Sequence, residues 1–182
     1  MIEQQFQNLA ETYNCKWQNE TYRVDVESGF GIEISYYTIT IPHQESGITI
    51  RYEFGNHNLA KIKSSIKTVN AINNFTLTTR SHFSRLLYSK ANIWQIKCKN
   101  NVLEKTVLNC LKESGLARLA QTEAFEPTIK GIQNNDTYTL TTEFYLGFNN
   151  KEQSLFPSLH FHQLMLDNFN RNYDVITEPN IN

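Results

Sequence analysis

Apolar side chains recur along this chain at two spacings, and each spacing predicts a different kind of element. Ile2, Phe6, Leu9 and Tyr13 lie three or four positions apart, which predicts an amphipathic helix at the start of the chain. From residue 48 to residue 54 apolar and polar positions alternate, which is typical of a strand with one covered face. The chain therefore opens with a helix and continues into a region rich in strands.

Several segments carry the alternation or the composition of strands. They are residues 22–27, 32–41, 48–54, 75–79, 94–98, 125–132 and 137–146. Turn sequences at residues 42–47 and at Asn134-Asn135-Asp136 join neighbouring segments into two hairpins. Residues 59–69 fit both a helical stripe and a strand alternation, and we favour a strand because strand-like sequence flanks them on both sides.

Segment 32–41 changes phase in its middle. The apolar positions are first Ile32, Ile34 and Tyr36, and then Tyr37, Ile39 and Ile41. In a regular strand these two sets would point to opposite faces of the sheet. A β-bulge near Tyr36 and Tyr37 would bring both sets onto the core side, so we expect a bulge there.

A central helix is predicted at about 101–114. Asn101 is expected to cap it, with Glu104 at the capping-box position and Gly115 at its end. Its buried face is expected to consist of Leu103, Val107, Cys110 and Leu111.

A C-terminal helix is predicted at about 157–170, because Pro157 suits the first turn of a helix. Ser81 is expected to cap a short helix that buries Phe83, Leu86 and Leu87. Helices and strands come in clusters rather than in strict alternation. We therefore predict an α+β fold with a mainly antiparallel sheet built from hairpins. Residues 1–173 would form one domain, with two small subdomains as an alternative, and residues 174–182 a frayed tail.

The composition fits a protein with a sizeable core that works in a reducing compartment. Of the 182 residues 40% are hydrophobic and 12% aromatic, which is enough to bury a core. Cys15, Cys98 and Cys110 are odd in number and widely spaced, so we expect free thiols. The first residues do not resemble a signal peptide, and no apolar run is long enough to span a bilayer. We expect a cytoplasmic protein.

Positive charge is concentrated in residues 54–103, which contain eight Lys or Arg and no Asp or Glu, although the formal net charge of the chain is -1. Such a segment can bind nucleic acid or another polyanion. The candidate residues for that role are Lys61, Lys63, Arg80, Arg85, Lys97 and Lys99, with Tyr88 and Trp94 as stacking platforms. The simpler interpretation is dispersed surface charge that pairs with acids elsewhere in the chain, with Trp94 in the core.

His160, His162 and Asp167 form the densest group of chemically active residues. On the predicted helix the two histidines point about 200° apart, so they cannot chelate one metal ion. We expect His160 on the polar outer face, together with Asp167 and Arg171, and His162 half-buried. No metal site and no cofactor are predicted.

Cys98 and Cys110 lie in apolar phases, which is typical of buried cysteine.

Because none of these candidates forms a catalytic or metal-binding pattern, the sequence predicts a non-enzymatic binding or adaptor domain that acts through a protein-interaction surface. One alternative is a polyanion-binding domain that uses residues 54–103. A second alternative is a hydrolase-type enzyme that uses His160 and Asp167.

Overall fold

Eight strands form one antiparallel sheet in the computed structural model, which describes residues 2–25, 31–80 and 93–176. The strands are β1 (Trp17–Asp25), β2 (Gly31–His43), β3 (Ser46–Phe54), β4 (Leu59–Lys67), β5 (Phe75–Thr79), β6 (Trp94–Cys98), β7 (Thr128–Asn134) and β8 (Thr137–Tyr145). Their order across the sheet is β1-β2-β3-β4-β8-β7-β5-β6. The first four strands are thus neighbours in chain order, whereas β8 lies between β4 and β7.

Four α-helices accompany the sheet within the described residues. They are α1 (Ile2–Thr12), α2 (Asn101–Glu113), α3 (Leu116–Thr122) and α4 (Leu155–Asn172), and a 3-10 turn (Lys151–Ser154) precedes the last. The α+β class, the antiparallel hairpins and the N-terminal, central and C-terminal helices are confirmed.

The core lies between the helices and one face of the sheet. Side chains in matching register on this face run from strand to strand as Ile39, Ile50, Ile62, Thr142, Ile129, Leu77 and Ile96. The first six of these are buried. Phe6 of α1 packs edge-on against Tyr52 of β3, with ring centroids 5.4 Å apart, and so seals one end of the core. The opposite face, here called the open face, carries the polar positions of the same strands.

The predicted bulge in β2 is wrong. Pairing with β1 and β3 runs without interruption through Tyr36 and Tyr37, which face Glu53 and Tyr52 on β3. Tyr37 and the two isoleucines after it therefore face the helices, whereas Ile32, Ile34 and Tyr36 lie on the open face. The sequence changes phase because the far end of the β1–β2 hairpin extends beyond the helical layer, where the helix-side positions Arg23, Asp25 and Glu33 are polar and exposed.

Several element boundaries differ from those predicted. β1 begins at Trp17 instead of residue 22, and α4 begins at Leu155, so that Pro157 is its third residue. Residues 59–67 are confirmed as a strand. The predicted short helix at 81–87 and its Ser81 cap lie outside the described residues.

The cap of α2 is Asn100, one residue before the predicted Asn101. Its side-chain oxygen accepts the backbone N–H groups of Val102 and Leu103, two of the donors that a helix start leaves unpaired. Glu104 is therefore one position too late to complete a capping box. Gly115 follows the helix with φ of 87°, a left-handed conformation that glycine adopts without a steric penalty.

Part of the predicted tail runs beside β4. The backbone N–H of Val69 donates to the carbonyl of Asp174 at 2.9 Å, and the backbone N–H of Ile176 donates to the carbonyl of Lys67 at 2.8 Å. Val175 forms an isolated bridge with Thr68. These bonds hold residues 174–176 against the end of the sheet.

Candidate binding surface on the open face of the sheet

The most regular polar feature of the molecule is a line of lysines across five adjacent strands of the open face. Lys63 of β4 pairs with Thr141 of β8, which pairs with Lys130 of β7. Lys130 pairs with Thr76 of β5, and Thr76 pairs with Lys97 of β6. Lysine and threonine thus alternate from strand to strand. Lys63, Lys130 and Lys97 are called the lysine row below.

The dimensions of the lysine row follow from strand geometry. Neighbouring strands lie about 4.8 Å apart, so successive lysines are about 10 Å apart and the row spans about 19 Å. All three lysines are exposed, whereas Thr141 and Thr76 between them are half-buried. Within the described residues none of the three lysines forms an ion pair. The ammonium groups therefore extend beyond the threonine hydroxyls toward solvent.

The open face carries a net positive charge, although the chain has a formal net charge of -1. By strand register its cations are Arg51, Lys61, Lys63, Lys67, Lys97 and Lys130. Its carboxylates are Glu20, Glu53 and Glu143. The strands thus place a net charge of +3 on this face, and the remainder of the chain is correspondingly acidic. Fields from cations on one surface add, so this face attracts anions more than the total charge suggests.

Two open-face cations outside the lysine row have partners on the sheet. The Nζ atom of Lys61 lies 2.6 Å from a carboxylate oxygen of Glu143, and both side chains are partly exposed. The guanidinium of Arg51 lies 4.1 Å from the ring centroid of Tyr36, a cation–π distance. The interpretation that some basic residues pair with acids elsewhere in the chain therefore holds for Lys61. It does not extend to the lysine row.

The sequence-predicted cations separate into three groups. Lys61, Lys63 and Lys97 lie together on the open face, and Lys99 follows β6 immediately. Arg80 follows β5, where its backbone N–H donates to the carbonyl of Ile93 at 2.8 Å. Arg85 lies outside the described residues.

Sequence reasoning missed Lys130, because only residues 54–103 had been singled out by charge. A local signal for it does exist. Lys130 lies between Ile129 and Gly131, which are both buried, so its exposure follows from strand alternation. Only the pairing of β7 with β5 and β8 shows that it stands between Lys63 and Lys97.

Of the two proposed stacking residues the structure describes Trp94, which does not join the open face. Trp94 is half-buried and packs against the core on the helix side, in phase with Ile96 and Cys98. Tyr88 lies outside the described residues. Among the described side chains the lysine row has threonines as neighbours and no aromatic ring.

The candidate catalytic residues of α4 are apart from one another. His160 is exposed, and Asp167 follows it by seven residues, about two helical turns or 10 Å along the axis. Asp167 instead accepts from the side chain of Gln44 at 2.6 Å and lies 2.8 Å from Nε2 of His43, both at the β2–β3 turn. Asp167 therefore holds α4 against this turn. His160 and Asp167 do not converge on a common position where a substrate could bind.

His162 is fully buried, not half-buried as predicted. Its Nδ1 lies 2.8 Å from the hydroxyl of Ser64 on β4, and its Nε2 lies 3.0 Å from the hydroxyl of Thr142 on β8. Burial lowers the pKa of His162 from 6.5 to about 3, because the charged ring would lose its hydration. The ring is therefore neutral at physiological pH, and one hydroxyl donates to it while the other accepts from it.

A second buried group links Tyr52 to the start of α4. The Tyr52 hydroxyl lies 3.0 Å from the hydroxyl of Ser154, which also donates to the carbonyl of Lys151 at 2.5 Å. These polar groups of the core thus hold elements together.

Burial raises the pKa of the Cys110 thiol to about 11, so this cysteine is a protonated core residue and not a nucleophile.

No protein-family model, curated protein or solved structure was found to match the chain. Among the helices that the structure describes, none has the length and apolar character that crossing a bilayer requires. Residues 2–25, 31–80 and 93–176 contain no group of three or more His, Cys, Asp or Glu side chains arranged to hold a metal ion.

Proposed function

We propose that this chain is a non-enzymatic binding domain that contacts an acidic surface of a partner protein through the open face of its sheet. The observation that carries this proposal is the lysine row, with three exposed cations in register on one face of the sheet and no carboxylate among them. The backbone positions of lysines on alternate strands keep their spacing, because the hydrogen bonds of a paired sheet fix the distance between its strands. A partner with acids at about 10 Å intervals would meet all three lysines at once.

The threonines of the row support a protein partner over a nucleic acid. Thr141 and Thr76 offer hydroxyl groups that donate to carboxylates and accept from amides. Proteins that hold single-stranded nucleic acid combine cations with aromatic stacking platforms, which the described part of this row lacks. The engagement of Asp167 by His43 and Gln44 supports a non-enzymatic role, since it leaves His160 without a catalytic partner.

The test is charge reversal on the open face. The double variant Lys63→Glu with Lys130→Glu replaces two attractions by two repulsions, which we expect to weaken binding of poly-L-glutamate roughly tenfold. Fluorescence anisotropy at about 50 mM and about 300 mM NaCl would measure it, and the wild-type affinity should fall as salt screens the charges.

The matched control reverses two exposed lysines of α2, Lys105 and Lys112. It changes the net charge equally but leaves the open face intact, so its affinity should stay near that of the wild type. Equal loss in both double variants would show that only the total charge matters. Absence of any wild-type binding to the acidic polymer would also refute the proposal.

The second candidate is polyanion binding, which is favoured by the linear arrangement of the lysine row over about 19 Å. If the row binds phosphates, single-stranded homopolymer DNA should bind more tightly than poly-L-glutamate. Each lost contact should then lower the slope of log K against log salt by about 0.7. Weaker binding of DNA than of poly-L-glutamate would exclude this second candidate and favour the acidic protein partner.

A cytoplasmic location belongs to the same proposal. Cys15, Cys98 and Cys110 are free thiols in the structure. Free thiols support a reducing compartment, in which a binding surface of this kind would meet intracellular partners. Localisation of a fluorescently tagged chain would test this point.

A further inference from the structure

An open cleft of about 700 Å³ lies at the end of the lysine row, where β5 begins and β6 ends. Lys97 and Lys99 line it together with the segment from Ile72 to Thr76. Its size falls within the range of pockets that hold small molecules.

The wall of the cleft is fixed by the side chain of Gln133. Its Oε1 accepts the backbone N–H of Ile72 at 3.2 Å, and its Nε2 donates to the carbonyl of Asn135 at 2.7 Å. The backbone N–H of Gln133 donates to Oδ1 of Asn74 at 2.8 Å. The loop before β5 is thus tied to β7 at two points, so the cleft exists before any ligand arrives.

Three of the residues that line the cleft, Lys97, Lys99 and Asn74, offer hydrogen-bond donors. Oδ1 of Asn74 accepts from Gln133, so the free end of that amide is its N–H₂ group. Lys97 and Lys99 are both exposed and, within the described residues, neither forms an ion pair. Lys97 belongs to β6 and Lys99 follows the strand at a bend, and both residues line the cleft. Among the residues that the structure describes, no Asp or Glu lines the cleft.

We propose that this cleft binds the phosphoryl group of a small organic phosphate. Two ammonium groups and one amide N–H₂ match the near-dianionic charge and the three terminal oxygens of a phosphate monoester, whereas a carboxylate offers one charge and two oxygens. Ile72 and Phe75 also line the cleft, and both are buried. The site shares Lys97 with the lysine row and includes the adjacent Thr76, and it does not depend on the proposed protein partner.

The experiment is a titration of the ¹⁵N-labelled chain with phenyl phosphate, followed by amide chemical shifts. We expect saturable shifts confined to residues 72–76, 97–99 and 133. The double variant Lys97→Gln with Lys99→Gln should weaken binding at least about tenfold, because it removes two charge-assisted hydrogen bonds. The control Lys63→Gln with Lys130→Gln should retain the wild-type affinity within about twofold.

Several results would overturn the assignment. They are the absence of saturable shifts at the cleft, equal weakening by the control variant, and binding of benzenesulfonate as tight as that of phenyl phosphate. The second result would mean that the general field of the open face holds the ligand. The third would mean that the cleft does not select a dianionic phosphoryl group. Because the proposed protein partner is tested with Lys63 and Lys130, failure at the cleft and failure of the open face can be told apart.

Discussion

Replacement of His162 by asparagine should change how the stability of this protein depends on pH. In the folded chain the imidazole is buried between Ser64 and Thr142, and its pKa is lowered to about 3 by burial. In the unfolded chain the ring is hydrated and titrates near 6.5. Between these two pH values the unfolded chain binds one proton more than the folded chain, so the free energy of unfolding falls as the pH falls.

The magnitude follows from the separation of the two pKa values of His162. Stability from this group is fully present above pH 6.5 and is lost at about 1.4 kcal/mol per pH unit below it. From about pH 7.5 to about pH 4.5 the loss is about 2 to 3 kcal/mol, since the folded ring is still neutral at the lower value. Near pH 3 the loss reaches roughly 4 to 5 kcal/mol.

Urea denaturation at about pH 7.5 and about pH 4.5 would measure this effect. We expect His162→Asn to be less stable than the wild type at pH 7.5, because it leaves a hydroxyl unpaired and a cavity behind. The difference should shrink by about 2 to 3 kcal/mol at pH 4.5, since the variant has no ring to protonate.

The control is Thr142→Val, which removes one partner of the ring but keeps His162. It should also be destabilised, by about 1 to 3 kcal/mol, yet it should retain the wild-type dependence on pH. A constant difference between His162→Asn and the wild type at both pH values would refute a buried neutral ring. So would a Thr142→Val variant that loses the same pH dependence.

Three further stability changes follow from single contacts, each measurable by urea denaturation at neutral pH. Asn100→Ala should cost about 1 kcal/mol, because two N–H groups of α2 lose their acceptor, and an unchanged midpoint would contradict this cap. Gly131→Ala should cost about 1 to 3 kcal/mol, because the new Cβ would overlap the Tyr138 hydroxyl, and a fully stable variant would contradict that packing. Lys61→Met should change stability by less than about 1 kcal/mol, because its pair with Glu143 is exposed, and a larger loss would mean that the pair is structural.

The kinds of element in this protein could be predicted from the sequence because they depend on local spacing. Apolar residues three and four apart can be buried together only on a helix, and alternating ones only on a strand. That reasoning placed α2 and the β3 strand correctly and favoured a strand at residues 59–69, of which 59–67 form β4. It also placed Trp94 toward the core and the lysines of the same segment outward.

The sequence alone determined that Lys61, Lys63 and Lys97 lie on polar strand faces, but not which strands are neighbours. Strand order is set by contacts between distant parts of the chain, here by β8, which pairs with both β4 and β7. Only that pairing brings Lys130 into line with Lys63 and Lys97 to form the lysine row. No local feature of the sequence marks where the helical layer ends. The phase change in β2 therefore suggested a bulge, although it reflects that end. Tertiary structure therefore decided which polar faces form one surface and which histidine is buried, because burial depends on what packs against a residue and not on its sequence neighbours.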